Sequence, residues 1–429
     1  MQARAEAAKI AKEQKALKTG EPIYSATQDL WVYEKDKTSG AADWEHIPKQ
    51  AQGISVPSKR TDAATAVLGH MMYLFGGMDP ETDTLYNDIW TLSLKTNKWS
   101  LCQAFLPYGV SGHSAVAISD TTIALHTKQG LLLYYDDGPT PIVVEQSTTG
   151  EGPDGLSLCA SCGISRNDNT KSSNSDSNGG SDSTSDYSFN KSQNKLDMLV
   201  FGGSTGASKG FSSAAYVLNT ESWSWKKLQP QTTIAPLQSP CLVPLSNSNS
   251  DTNTNSNSNK CIVFGGAKLE NGTPTTSDET WLLEVSTNDN MAHWKRIATD
   301  DEEGVCPEGR TAASLTATPS GEIVLQGGWD PITKKTYGGP SGGGTWILTK
   351  DPIDPQTRID ARKKVKDMEQ TAAEAAASKV SDIIAAAGSG SNFNGTSLGV
   401  GGLEDVLEEI KTRIWTPLAA PPQLLKGAL

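Results

Sequence analysis

Four apolar runs along this chain close on paired glycines: YLFGG ending at Gly77, MLVFGG at Gly203, CIVFGG at Gly266 and EIVLQGG at Gly328. A short aliphatic or aromatic run stopped by two glycines reads as a buried strand that leaves through a tight turn, because glycine takes φ > 0 at no steric cost. Downstream of three of these pairs comes a further strand signal with two tryptophans: Trp90 and Trp99, Trp223 and Trp225, Trp281 and Trp294. Each unit therefore predicts a small antiparallel sheet, and the chain repeats it. A degenerate copy fits between the first two pairs, with Ser111–Ala117 as its opening strand, Thr122–Thr127 in place of the Gly-Gly strand and Leu131–Tyr135 as a third strand. Copies then begin near Thr61, Gly112, Gly155, Pro240 and Arg310, and the last ends at Thr345-Trp346-Ile347-Leu348 with no outer tryptophan strand. Asp29-Leu30-Trp31-Val32-Tyr33, followed by Trp44, supplies half a unit ahead of the first copy.

A period near 50 residues with an apolar strand, Gly-Gly, a polar loop, a D-x-W-x-Y strand and a final Trp resembles the kelch repeat. Asn87-Asp88-Ile89-Trp90-Thr91-Leu92 leading to Trp99 is the best-matched copy, with Leu92 where the family usually has Tyr. The resemblance covers roughly residues 28–350. It implies an all-β propeller of about six blades, in which strands from one end of the chain complete a blade begun at the other and leave no long free edge. The residues carrying the signature are Gly76, Gly77, Trp90, Trp99, Gly202, Gly203, Trp225, Gly265, Gly266, Trp281, Trp294, Gly327, Gly328 and Trp346. What the resemblance implies for function is a non-catalytic scaffold for protein partners, with no cofactor and no metal. The same propeller class includes the copper oxidase of galactose, which needs a Tyr/His/Cys cluster at its channel, and no such cluster can be placed in this sequence.

Around the repeats the chain changes character. Residues 1–27 are a charged extension whose first 19 residues read as a solvated helix. Residues 167–195 and 246–259 are almost wholly Ser, Asn, Asp, Thr and Gly. Each falls between the first and second strands of a unit, and such composition buries too little apolar surface to offset chain entropy, so both are expected to be disordered loops. Residues 351–398 are an Ala/Lys/Glu-rich helical spacer followed by a Gly/Ser/Asn linker. The segment 399–429, with Gly401-Gly402-Leu403-Glu404, Thr416-Pro417-Leu418 and Pro421-Pro422-Gln423-Leu424, resembles the entry to an AAA ATPase module, with Pro421-Pro422 similar to the vesicle-fusing, SNARE-disassembling branch. That resemblance implies a motor beyond Leu429 and a propeller that recruits its substrate or adaptor. A phosphate-binding loop needs G-x-x-x-x-G-K-[ST], and no such string occurs in the 429 residues, so nucleotide is expected only with a downstream module.

Composition narrows the partners. The net charge of −12 and the lack of a dense Lys/Arg stripe argue against nucleic acid. No apolar stretch approaches the roughly 20 residues that span a bilayer. Residues 1–19 lack the apolar core of a secretory signal, and Glu6 and Glu13 speak against a mitochondrial presequence, so a cytoplasmic, reducing compartment is expected. Asn271-Gly272-Thr273 and Asn394-Gly395-Thr396 fit the glycosylation pattern and should accordingly stay unmodified. Cys159-Ala160-Ser161-Cys162 is a lone C-x-x-C with no second pair to complete a zinc site, and reads as buried free thiols. The five histidines are scattered, His113 falling on an opening strand as a structural residue, and Asp300–Glu303 reads as a solvated acidic turn.

Overall fold

The computed structural model describes residues 28–35, 42–166, 195–206, 210–245, 259–297, 307–318, 321–333, 335–337 and 345–348. The helices expected in 1–27, 351–398 and 399–429, the two low-complexity inserts apart from Lys195 and Asn259, and Asp300–Glu303 lie outside these residues. Among the described residues the structure is strands and turns, with a single 3-10 turn at Lys49–Ala51.

A hairpin comes first, β1 (Leu30–Lys35) against β2 (Ala42–Ile47). Blade 1 follows as β3 (Ala64–Leu68), β4 (Met71–Phe75), a side hairpin of β5 (Met78–Asp79) and β6 (Thr84–Leu85), then β7 (Asp88–Ser93) and β8 (Lys98–Phe105). Blade 2 is β9 (Ser114–Ala117), β10 (Thr122–Thr127), β11 (Gly130–Tyr135) and β12 (Ile142–Gln146). β13 (Thr149–Gly150) then runs parallel to the outer strand of blade 3, which is β14 (Ala160–Ser165), β15 (Leu196–Phe201), β16 (Ala215–Asn219) and β17 (Ser224–Lys227). β18 (Gln229–Pro230) does the same for blade 4, made of β19 (Cys241–Pro244), β20 (Asn259–Phe264), a side hairpin β21 (Ala267–Glu270) and β22 (Thr273–Thr276), then β23 (Thr280–Ser286) and β24 (Met291–Ile297). Blade 5 has three strands, β25 (Ser314–Ala317), β26 (Ile323–Gln326) and β27 (Trp346–Leu348).

The architecture thus has five blades rather than about six. The half unit at Asp29 is a two-stranded sheet of its own and does not join the ladder of blade 5. The physical reason is that β27 already holds the edge of β26 that the hairpin would need. What connects the two is a side-chain contact, the Trp44 indole N–H donating to Thr345 Oγ1 at 3.1 Å. The copy without Gly-Gly is a full blade, and all six residues of its β10 are buried.

Apolar residues pack between blades, because alternation along each strand sends successive side chains to the two neighbouring sheets. Ala66, Tyr73, Phe75 and Ile89 of blade 1 meet Ile123, Leu125, Leu132 and Tyr134 of blade 2. Val116, Ala124 and Leu133 meet Met198, Val200, Leu218 and Trp225 of blade 3. Leu199, Phe201 and Val217 meet Val263, Leu283, Val285 and Trp294 of blade 4. Cys241, Val243, Ile262 and Phe264 meet Leu315, Ile323 and Leu325 of blade 5.

Candidate functional site at the channel mouth

Just ahead of each first strand, one residue adopts the left-handed conformation: Asp62 (φ 53°), Gly112 (64°), Leu158 (57°), Ser239 (49°) and Ala312 (54°). Backbone bonds tie these five corners in sequence. The amide of Gly112 donates to the carbonyl of Asp62 (2.9 Å), Leu158 to Gly112 (2.6 Å), Ser239 to Leu158 (2.8 Å) and Ala312 to Ser239 (3.2 Å). A non-glycine residue held at positive φ costs on the order of 1 kcal/mol or more, so four such corners persist only because this network over-determines them.

The corners surround a cavity of about 830 Å³, lined by Thr61, Asp62, His113, Cys159, Pro240 and Ala313 and rimmed by Pro80, Trp329 and Pro331. A narrower space of about 210 Å³, lined by His113, Ser114, Ser161, Cys241 and Ala313 among others, shares its wall. His113 is buried, and neither of its ring nitrogens makes a hydrogen bond of normal geometry. Burial lowers its pKa to about 4, the nearby Phe75 carbonyl working the other way. His126, whose Nε2 lies 3.2 Å from the Pro153 carbonyl, is lowered to about 4 by burial as well.

Paired glycines lie at the inner ends of the second strands. Gly76 and Gly77 have φ of 52° and 100°, and a Cβ on Gly77 would stand 2.9 Å from the Thr61 carbonyl. In three of the four pairs the second glycine reaches the next blade: the Gly77 amide donates to the Val110 carbonyl, Gly203 to Leu237 and Gly266 to Arg310, at 2.8, 2.8 and 2.9 Å. Arg60 clamps the turn of blade 1, donating to the Gly76 carbonyl at 2.7 Å, forking onto Asp88 at 2.6 and 2.9 Å and covering the Tyr86 ring at 4.3 Å. Burial pushes the Asp88 carboxyl up, but the Arg60 and Trp90 hydrogen bonds outweigh it and hold the group below its ordinary value. Arg310 repeats the arrangement in blade 5, with Gly327 as acceptor and Tyr337 as the stacked ring at 3.8 Å.

The signature tryptophans sit away from the mouth. Trp225 and Trp294 fill inter-blade cores, whereas Trp99 is only half-buried. Trp90 and Trp281 each donate the indole N–H to a carboxylate two residues earlier, Asp88 at 2.7 Å and Glu279 at 3.1 Å. Trp346 packs beside Phe264 and Leu325 with its buried indole nitrogen unpaired. Cys159 and Cys162 are not joined: Cys159 donates to the Gly202 carbonyl at 3.4 Å, and Cys162 faces Cys261 at 3.7 Å between blades 3 and 4. Contact with Cys261 and burial raise the Cys162 thiol well above its usual value, and burial pushes Cys159 and Cys241 up to about 12. All five described cysteines are free thiols, and among the described residues no three His, Cys, Asp or Glu side chains are gathered as for a metal ion.

Sequence reasoning missed the left-handed corners, since only Gly112 advertises the conformation and Asp62, Leu158, Ser239 and Ala312 carry no local signal. It also missed Arg60 and Arg310. Their signal was an Arg at the same place in two copies, directly before Thr61 and Thr311.

Comparison with known proteins bears on the same region. A family model described as Kelch motif matches residues 59–105, the whole of blade 1. A curated relative, the N-(sulfonatooxy)prop-2-enimidothioate sulfolyase of Thlaspi arvense, is 33% identical over 60 residues, which is 14% of this chain and 17% of that protein. The chain thus matches about a sixth of that relative's length. A solved structure titled Structure of YjhT is similar with a TM-score of 0.48 at 13% identity, over 76% of this chain and 98% of that one. With the Kelch motif over residues 59–105 and the five sheets described above, the described residues form a five-bladed, all-β propeller whose first blade is a kelch motif.

Proposed function

We propose that this chain is a non-catalytic scaffold that holds a protein partner at the channel mouth. The observation that carries the reading is the ring of five left-handed corners, which fixes the backbone around an 830 Å³ funnel and leaves Pro80, Trp329 and Pro331 on its rim. A partner met by such a surface gains contacts without ordering the scaffold, which spares the entropy cost that weakens binding by mobile loops. The compartment fitting this reading is the cytoplasm, where the free thiols stay reduced. In a longer protein with the motor implied by 399–429, the same mouth would recruit substrate or adaptor, a reading that rests on those residues' sequence alone.

A photo-crosslinking residue at Pro331 should capture a defined protein from an extract of the source cells, while the same group at Leu269 on the β21–β22 hairpin should not. Equal capture at the two positions defeats the proposal. A second reading is lyase chemistry of the kind the Thlaspi arvense relative's name gives, and its one supporting observation is the unpartnered His113 beside the funnel. Turnover of a small sulfur ester that is lost in His113→Phe would favour it over the scaffold.

A further inference from the structure

The outer strands of the blades differ in what covers them. In blade 3, β13 lies parallel to β17, with Thr149 opposite Ser224 and Gly150 opposite Trp225. In blade 4, β18 lies parallel to β24, and the amides of Gln229 and Gln231 donate to the Asn290 and Ala292 carbonyls at 2.8 and 2.9 Å. In blade 1 the Trp99 amide of β8 donates to the Gln52 carbonyl at 2.8 Å. In blade 2, among the described residues, β12 ends the sheet and pairs with β11 alone. The cause lies in the connections between blades. β13 and β18 belong to the links over 147–159 and 228–240, whereas the link into blade 2, over 106–113, is shorter and turns back on blade 1, where the Leu106 amide donates to Asn87 and the Val110 amide to Tyr86.

That edge is built to pair. β12 reads Ile-Val-Val-Glu-Gln, a β-branched run with no Pro, Gly or Lys within it, although native sheet edges are ordinarily blunted by such residues. Ile142 and Val144 stand opposite Tyr135 and Leu133 on one face and are 52% and 37% exposed, while Val143 and Glu145 stand opposite Tyr134 and Leu132 on the other. The surroundings are acidic. Between Lys128 and Arg166 the chain has Asp136, Asp137, Glu145, Glu151 and Asp154 and no Lys or Arg. Glu151 is paired with Lys227, and Asp136 accepts from the Tyr73 hydroxyl. Asp137, in the turn before β12, and Glu145, near its end, flank the edge as exposed carboxylates.

We infer that the open edge of β12 accepts an extended, basic, β-branched segment of a partner protein, which lies parallel to β12 as the fifth strand of blade 2. The covering strands of blades 3 and 4 supply the direction, since each runs parallel to the outer strand beside it. Main-chain pairing of this sort gives affinity, and alternate side chains give selectivity. The incoming strand places Val, Ile or Thr beside Ile142 and Val144, and Arg or Lys beside Asp137 and Glu145. Charge decides between a partner and a second copy. A second copy would bring the same acidic edge against this one, and like charges across a strand pair are destabilising, whereas a basic segment gains from both carboxylates. No residue of β12 lines the funnel, so this contact and the one proposed at the mouth fail separately.

The probe is the acetylated, amidated peptide Arg-Val-Thr-Val-Arg-Thr, titrated into the full-length protein. Saturable binding is expected, lost when Glu replaces both Arg and weakened about tenfold by Val144→Lys or Glu145→Lys, with Leu269→Lys on the β21–β22 hairpin as an unaffected control. A strand turns the amides of alternate residues to one side, so of two peptides N-methylated on alternate residues one should bind and the other should not. Amide exchange over 142–146 should slow with peptide, while that over 224–227 and 291–297 stays as it was. Failure of the peptide to bind a protein with unaltered circular dichroism overturns the inference. Equal binding of the two methylated peptides does so too, because it reduces the contact to charge alone. Slow exchange throughout 142–146 in the free monomer would make a segment of this chain the occupant, and protection that appears only on dimerisation would make it a second copy; either result overturns the inference as well.

Discussion

Arg60 is the residue on which blade 1 depends most directly. Its guanidinium is almost enclosed and its partner Asp88 is one-fifth exposed, so removing the cation leaves a largely buried carboxylate without its fork. Breaking one side of such a pair typically costs about 3–5 kcal/mol. Arg60→Met should lose about 3 kcal/mol in urea unfolding at pH 7. Because the folded-state pKa of Asp88 is depressed, the pair's contribution is present above the unfolded value near 4 and is lost as pH falls through the lower folded value. The gap between wild type and variant should therefore narrow at pH 3, and a gap constant from pH 7 to 3 would show that packing on Tyr86, rather than charge, is what Arg60 supplies. The same residue scale sets a second pH window. His113 and His126 are neutral and buried with pKa values near 4, against about 6.5 unfolded, so the unfolded chain takes up protons first. Stability should fall steadily as pH drops from about 6.5 to 4, and His126→Phe should flatten that slope; a urea midpoint unchanged between pH 7 and 4.5 would contradict the burial of both imidazoles.

At the scale of elements, the sequence was most legible where chemistry and geometry coincide. Gly-Gly marks strand exits because positive φ values and close contacts exclude a Cβ, and the four pairs follow the ends of β4, β15, β20 and β26. The tryptophans were read less evenly. A matching place in the repeat suggests equal roles, yet Trp294 is buried against Phe201 at 4.9 Å while Trp99 is only half-buried. Trp294→Ala should cost about 3–5 kcal/mol as a core truncation, and Trp99→Ala about half of that. Comparable losses of melting temperature would show that outer-edge burial has been misjudged. The blade count went astray for a related reason: β27 and the β1–β2 hairpin both carry third-strand signals, and spacing alone cannot tell that β27 takes the edge of β26. Loop length is legible in another way. Ser165 pairs directly with Leu196, so a tight turn can join β14 to β15. Replacing residues 168–194 with a short Gly-Asn turn, keeping Arg166 on Asp197 and Thr220, should shift the melting temperature by no more than about 2 °C.

At the scale of the whole molecule, the apolar cores seen among the described residues join each blade to the next from 1 to 5, and that determines how stability is distributed. Among the described residues, blades 2, 3 and 4 each share an apolar core with two neighbouring blades and blades 1 and 5 with one, and blade 5 has three strands. In a ring closed by equal interfaces every blade shares the same protection, so opening anywhere costs nearly the global free energy. In a linear stack, stability is a sum of units and nearest-neighbour interfaces, and the terminal units open first. Hydrogen exchange should accordingly be fastest in β25–β27, intermediate in β3 and β4, and slowest in β15, β16 and β20, whose residues fill the central cores. The Val263→Ala change, between blades 3 and 4, should raise exchange in both of those blades together, because the substitution weakens an interface they share. Ile347→Ala, at an exposed position of β27, should leave exchange in every blade as it was. Uniform protection across the five blades would mean that blades 5 and 1 are coupled as closely as the others.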